Sequence, residues 1–418
     1  MRSNPMQPPA SSTATSHPRR ADWRQGWILV ISGFLPVMAI IALAPTLPTL
    51  LGHFHDIPNA ALMVPLLITA PSACIALFAP GAGVIADRFG RRPLLLWSMA
   101  FYGLGGLVPF AIDNFWAVVA GRFVIGIGEA GVLTVVNTLL ADYFEERERH
   151  RWLMIQGVVG SVLGTVTIAS SGFLAAQGWQ WPFLVYAIAI PILLASLAFL
   201  FEPSSRALQR RNGTGAVHAT PPATLFPYSI ALMVAGVTVL LSTIYYVQVI
   251  NFSVLLKELG VGDPQKIGLS MALPSIGVPL GAIVFKLTTR FGAGAQIFLV
   301  FLGYAIGLSG IGLAPDYRVA LAFAFVQQLA NGIIVPALIA WAQSKFSFEH
   351  RGRGMGWWAS SFFVAQFLSP AVVNLMRASV GNLQGAFLAF GLIAAACAVG
   401  ACLLHVRAGR AARAQAGV

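Results

Sequence analysis

Gly83-Val84-Ile85-Ala86-Asp87-Arg88-Phe89-Gly90-Arg91-Arg92 is a short turn holding one acid and three bases between two long apolar runs. The runs, near 60–85 and 93–112, each meet the length of about 20 apolar residues that a helix needs to cross a hydrocarbon core. A weaker copy, Thr289-Arg290-Phe291-Gly292, follows another such run 202 positions later. Two further pairs keep nearly the same offset: Ala70-Pro71-Ser72 with Leu273-Pro274-Ser275, and Glu148-Arg149-His150-Arg151 with His350-Arg351-Gly352-Arg353. A proline within a spanning helix marks a bend, so the repeated features are architectural. A period near 202 in a chain of 418 residues predicts a duplicated half, the plan of membrane proteins whose site lies between two repeats.

Composition agrees. Only 10% of the residues are charged and 57% are apolar, with a mean hydropathy of +0.77. A soluble protein carries about a quarter of its residues as charges, so lipid must be the solvent for most of this chain. Apolar segments fall near 27–50, 60–85, 93–112, 115–141, 152–176 and 182–201, then near 225–255, 267–288, 294–314, 317–342, 354–376 and 384–405. The predicted fold is an all-α membrane protein of twelve spanning helices in two pseudo-symmetric halves. Residues 1–26 read as a disordered cytoplasmic tail, 27–201 as the first six-helix half and 202–224 as a linker. Residues 225–405 form the second half and 406–418 a basic tail. The linker assignment rests on Arg206, Arg210, Arg211, Gly213, Pro221 and Pro222. The first apolar run is too long for a signal-peptide core and reads as a retained helix.

The net charge of +12 would suggest nucleic acid in a soluble protein. Here the bases sit in short clusters between apolar runs, so the expected contact is anionic lipid and no nucleic acid. Alternating the loops between two sides places 21 of the 26 basic residues with the two tails and the linker. The other side holds Lys257, Lys266, Arg318 and Arg377, and Arg122 lies inside a span. That bias predicts a bacterial-type inner membrane location with both termini cytoplasmic. Cys74, Cys397 and Cys402 lie in apolar segments and read as packing residues.

The turn quoted first is similar to the G-x-x-x-D-R-x-G-R-R signature of the major facilitator superfamily. The resemblance implies a gating cluster of Asp87, Arg88, Arg91 and Arg92, with Asp142 as the partner of Arg91 and Arg353 in the matching loop of the second half. The degenerate copy, with Thr289 for Asp87, argues against the sugar porters. Gly121-Arg122-Phe123-Val124-Ile125-Gly126-Ile127-Gly128-Glu129-Ala130-Gly131 resembles the R-x-x-x-G-x-G-x-A motif of proton-coupled facilitators, with Spinster-like and anion-symporter-like features. Gly178-Trp179-Gln180-Trp181 resembles a turn of drug–proton antiporters, with Gln180 in place of arginine. Span five, with Gly157, Gly160, Gly164 and Gly172, resembles the antiporter motif only in part, since Ser161-Val162 replaces its glycine-proline pair. The resemblance extends over roughly 27–406 and is most similar to the twelve-helix drug or small-molecule:proton antiporter branch.

Arg122 and Glu129 are the sharpest local feature. Seven positions are two helical turns, so both project from one face about 10.5 Å apart along the axis. Glu129 falls near mid-membrane and Arg122 outside it. Intramembrane charges are costly and usually functional, and burial and a nearby cation pull a carboxyl's protonation in opposite directions. Both residues are therefore expected to serve proton coupling, with a fixed ion pair as the structural alternative.

Polar and aromatic residues at the same depth are candidate substrate contacts: Gln156, Tyr245, Tyr246, Gln248, Asn251, Gln327, Asn331, Trp357 and Gln366. Gln328, Trp358 and Phe362 lie beside them. Interhelical hydrogen bonding explains the polar ones equally well. No metal or nucleophile constellation can be built from the histidines, so an enzyme is not expected. No phosphate-binding loop occurs and no cofactor is implied, so energy must come from a gradient, with the proton as coupling ion. The expected function is proton-coupled export, by antiport, of a hydrophobic or amphipathic small organic compound. The alternatives are symport of an organic anion or nutrient, and movement of lipid or lysolipid. A monomer suffices, because the two halves form the cavity.

Overall fold

The computed structural model describes residues 21–203, 225–347 and 349–416. The tail before residue 21 and most of the linker therefore lie outside the described residues. All regular structure among those described is helical. Among the described residues eleven segments are long and apolar enough to cross a membrane, the longest being Pro264–Gly312 with 49 residues. As one straight helix it would extend about 74 Å, more than twice a hydrocarbon core of about 30 Å. It turns back instead at Thr289–Phe291 and at Gly292, whose φ of 79° favours glycine. Twelve crossings result among the described residues.

In chain order these are span one (Trp23–His53), two (Ala60–Phe89), three (Arg91–Ala111), four (Phe115–Tyr143), five (Glu146–Ala175) and six (Trp181–Phe199). The second half has seven (Tyr228–Glu258), eight (Pro264–Ser275 with Gly277–Thr288), nine (Gly292–Gly312), ten (Tyr317–Lys345), eleven (Arg351–Val380) and twelve (Leu383–Ala416). Span one starts at Trp23, so 23–26 are helical and not tail: Asp22 caps the helix and Gln25 returns a bond to the Asp22 backbone. Span twelve likewise runs into the stretch read as the basic tail.

Each half has its own apolar core, one around Leu43, Met99 and Leu139, the other around Leu256, Tyr304 and Phe387. The outer surface is apolar too, with Leu77, Trp97, Leu194 and Leu375 exposed, as expected where helices face lipid. Close packing within the first half depends on span four. A Cβ at Gly126 would lie 2.6 Å from the Pro71 oxygen, so only glycine permits this approach to span two.

One end of the bundle carries the turns at 90, 145, 289 and 350 and is termed the basic face. At the opposite face the halves are closed. Gly172 of span five and Gly268 of span eight touch backbone to backbone; a Cβ on Gly172 would lie 2.8 Å from the Gly268 Cα. Thr165 and Ser275 Oγ atoms meet at 2.9 Å. Ser253 of span seven donates to the Ala44 carbonyl of span one at 2.6 Å. Towards the basic face, spans five and eight separate, leaving Val158 and Ile283 exposed.

Candidate functional site

A cavity of about 740 Å³ lies between the halves, walled by spans one, five, seven, eight and ten. It reaches from Ala44, Ile168 and Met271, beneath the closed face, to Leu153 and Ile339 on the basic side. Its shape follows from the helix divergence just described. The polar side chains on its wall are Gln156, Ser161, Thr165, Tyr245, Gln248, Ser275 and Gln328; the rest is glycine and apolar side chains such as Phe34, Ile41, Val249 and Val335.

The sequence candidates divide in this geometry. Gln156, Tyr245 and Gln248 are on the wall. Tyr246 points away from it and donates to Gln366 Oε1 at 2.8 Å. Gln327 and Asn331 lie on the face of span ten turned to span nine, where Tyr304 donates to Asn331 Oδ1 at 2.9 Å. Asn251 lines a separate small pocket near Arg377 and bonds its own helix at Val247. Trp357 is exposed on span eleven. Consecutive helix positions diverge by about 100°, so depth alone cannot say which of two neighbours faces a cavity. Gln328 is on the wall and Gln327 is not; their tertiary neighbours decide this.

Glu129 is fully buried on span four, and neither carboxyl oxygen has a hydrogen-bond partner among the described residues. It is not on the cavity wall, because span four lies behind spans one and two. One turn away on the same helix, Gly126 packs against Pro71 and Cys74 of span two. Span two in turn packs on span eleven, and Tyr246 of span seven joins the first-half core there, at the contact between the halves. That contact is continued by Thr69, which donates to the Phe367 carbonyl at 3.2 Å, and Ser360, which donates to that of Ala76 at 3.3 Å.

Arg122 does not pair with Glu129. Its Nε donates to the Leu67 carbonyl at 3.1 Å and its Nη1 to the Tyr186 hydroxyl at 2.6 Å. Its Nη2 donates to the carbonyls of Ala39 at 3.0 Å and Ile68 at 2.6 Å. The cause is local: Pro71 has no N–H to offer Leu67, and the Leu43 N–H turns to Ile40 and leaves Ala39 short of its helix partner. Tyr186 donates to Ala39 as well, at 2.7 Å. The guanidinium thus satisfies carbonyls of spans one and two that lack a helix donor. It is not available to an anionic group in the cavity.

At the basic face, Arg91 ion-pairs with Asp142. Glu202 accepts from the backbone N–H groups of Arg91 at 2.8 Å and Arg92 at 2.7 Å, capping span three. Arg92 donates to the Leu197 carbonyl at 2.8 Å, and Tyr143 bonds the Phe201 backbone. All of these contacts join spans three, four and six of the first half. Asp87 and Arg88 are exposed, and Arg353 lies over the Phe226 ring at 4.3 Å, apart from the cluster. Glu202 was the residue to find: an acid just beyond span six, opposite a helix start crowded with bases.

Comparison with known proteins gives the same architecture. The family model of the Major Facilitator Superfamily matches residues 29–285 and 232–417. A tetracycline resistance protein, class C, from Escherichia coli is 28% identical over 371 residues, covering 84% of this chain and 90% of that protein. Another, class H, from Pasteurella multocida is 30% identical over 192 residues, 45% of this chain and 47% of that protein. Among solved structures, the inward-open xylose transporter XylE from E. coli superposes with a TM-score of 0.74 at 14% identity, over 90% of this chain and 94% of that one. A D-xylose-proton symporter gives 0.73 at 15% identity, over 91% and 97%. At such identities the structural likeness carries the fold alone.

Proposed function

This chain belongs to the Major Facilitator Superfamily and is a multi-pass membrane transporter, and on that premise we propose that it exports a hydrophobic or amphipathic small organic compound in exchange for protons. One observation carries the reading: an unpartnered, fully buried carboxyl on span four lies behind span two, which forms the contact between the halves, in a bundle whose central cavity is closed at one face. The relatives named for tetracycline resistance support export over uptake.

In this reading the basic face is cytoplasmic, in an inner membrane with both termini inside, and the conformation is inward-facing. A buried charge without compensation costs several kcal/mol. Arg122, about 10.5 Å away along the helix, offers roughly 1.6 kcal/mol of attraction at an effective dielectric of about 20. The cost wins, so Glu129 holds its proton while the halves are packed as here. Rocking them opens the Tyr246 contact, wets the carboxyl and allows exchange; that is the coupling step. Arg122 serves it by bracing spans one, two and six and by its field. Arg91, Arg92 and Asp142, with the exposed Asp87 and Arg88 beside them, form the first-half side of the cytoplasmic gate, and Arg353 is their counterpart on the second half. Symport of an organic anion would call for a cation on the wall, and the described wall residues carry none.

Inverted vesicles containing a pH-quenched dye, challenged with lipophilic compounds, test this. Wild type should dissipate the proton gradient on addition of a substrate, and Glu129→Gln should not, while still binding that substrate. Full gradient-driven transport by Glu129→Gln would end the proposal.

A further inference from the structure

We propose that the cavity binds its substrate in an uncharged form, recognised by three carboxamides: Gln156 of span five, Gln248 of span seven and Gln328 of span ten. The inference rests on the cavity being the transport site, as argued above. Among the described residues the wall contains no Asp, Glu, Lys, Arg or His. The two charged side chains within the first-half core are held elsewhere: Arg122 on backbone carbonyls of spans one and two, Glu129 behind span two.

What the wall does offer is specific. Gln248 is 1% exposed, and its Oε1 has no partner among the described residues. Gln328 accepts from Asn331 at 2.7 Å, which anchors the side chain and leaves its remaining hydrogen-bonding capacity towards the cavity. A carboxamide both donates and accepts. Of the hydroxyls, Thr165 and Ser275 are bonded to each other and Ser161 to its own helix, leaving the carboxamides and Tyr245 to meet a ligand. The rest of the wall is apolar. An ion entering would lose its hydration with no opposite charge in return, whereas a neutral amide, carbonyl or hydroxyl exchanges water for a carboxamide. The volume of about 740 Å³ lies within the range of drug-sized sites, roughly 300–1,000 Å³. The ligand class is therefore a neutral, mostly apolar organic molecule with a few hydrogen-bonding groups.

A consequence separates this from exchange of a cation. Export of a neutral molecule against one proton moves one positive charge inward per cycle, so the membrane potential alone drives it. Export of a monovalent cation against one proton moves no net charge.

The test uses full-length protein and aromatic amides on several drug-sized scaffolds, each made with a hydroxymethyl, a trimethylammonium or a sulfonate substituent. In detergent, titration calorimetry should find the hydroxymethyl forms binding, and the charged forms at least tenfold weaker. Gln248→Ala and Gln328→Ala should each weaken the neutral forms about three- to tenfold, the range of one hydrogen bond. Thermal melting checks that both variants fold. Gln156→Glu, on the basic side of the cavity, should shift preference towards the trimethylammonium forms. Charged forms that bind as well as neutral ones, no neutral form that binds, or neutral binding indifferent to both alanine variants would each overturn the proposal. In proteoliposomes, a potassium diffusion potential with no pH gradient should drive movement of the bound neutral amide. If the binding order holds but neither gradient drives transport, proton antiport falls and the substrate class stands. If charged amides bind and are driven, the substrate class falls and coupled export stands.

Discussion

Replacing Arg122 separates a brace from a participant in proton transfer. Its guanidinium makes four hydrogen bonds, to Leu67, Tyr186, Ala39 and Ile68. Interhelical hydrogen bonds in membranes are worth about 0.6 kcal/mol on average and at most about 1.7 each. Four of them sum to between roughly 2.4 and 7 kcal/mol on that scale. Arg122→Ala leaves the Leu67 carbonyl without any donor, since Pro71 cannot supply one, and should fall near the middle of this range. Arg122→Lys keeps the charge but has no planar fork, so it should retain one or two contacts and about half the loss. Tyr186→Phe removes one guanidinium contact and the bond to Ala39, and should cost the least. Thermal unfolding in mild detergent, followed by tryptophan fluorescence, should rank wild type above Tyr186→Phe, then Arg122→Lys, then Arg122→Ala. Proton-driven transport should fall in the same order as stability. Arg122→Ala melting like wild type while transport is abolished would refute the bracing argument and return Arg122 to the proton path.

Two further perturbations follow from the closed face and the basic cluster. With Thr165 and Ser275 oxygens 2.9 Å apart, Thr165→Cys with Ser275→Cys should cross-link readily under oxidation and stop transport, and reduction should restore it. Wild-type transport after quantitative cross-linking would mean that spans five and eight do not part at this level. Glu202→Ala removes the acceptor for two N–H groups at the start of span three, a capping loss of about 1 kcal/mol. It should lower the melting temperature modestly and raise the reactivity of a cysteine at position 88, measured with a membrane-impermeant maleimide. Unchanged reactivity would show that the cluster holds without Glu202.

The sequence alone determined the number of crossings and the two-half plan, while the pairing of Arg91 with Asp142 came from the family resemblance of the turn at 83–92. The first two depend on hydropathy and on a period near 202, both linear properties of the chain. It also singled out Arg122 and Glu129, because charges are conspicuous in an apolar run. Which residues face the cavity was decided by tertiary structure. Gln327 and Gln328 are identical side chains at adjacent positions, and only the neighbouring Tyr304 and Asn331 make one a packing residue and the other a wall residue. Likewise, nothing in the spacing of Arg122 and Glu129 reveals that Pro71 and the break near Ala39 supply the arginine with carbonyls, so that it turns away from the acid. A membrane helix carries little amphipathic signal, since lipid and protein interior are both apolar. Its inward face is fixed by which backbone groups and small residues meet across the interface, and that is information held only by the assembled bundle.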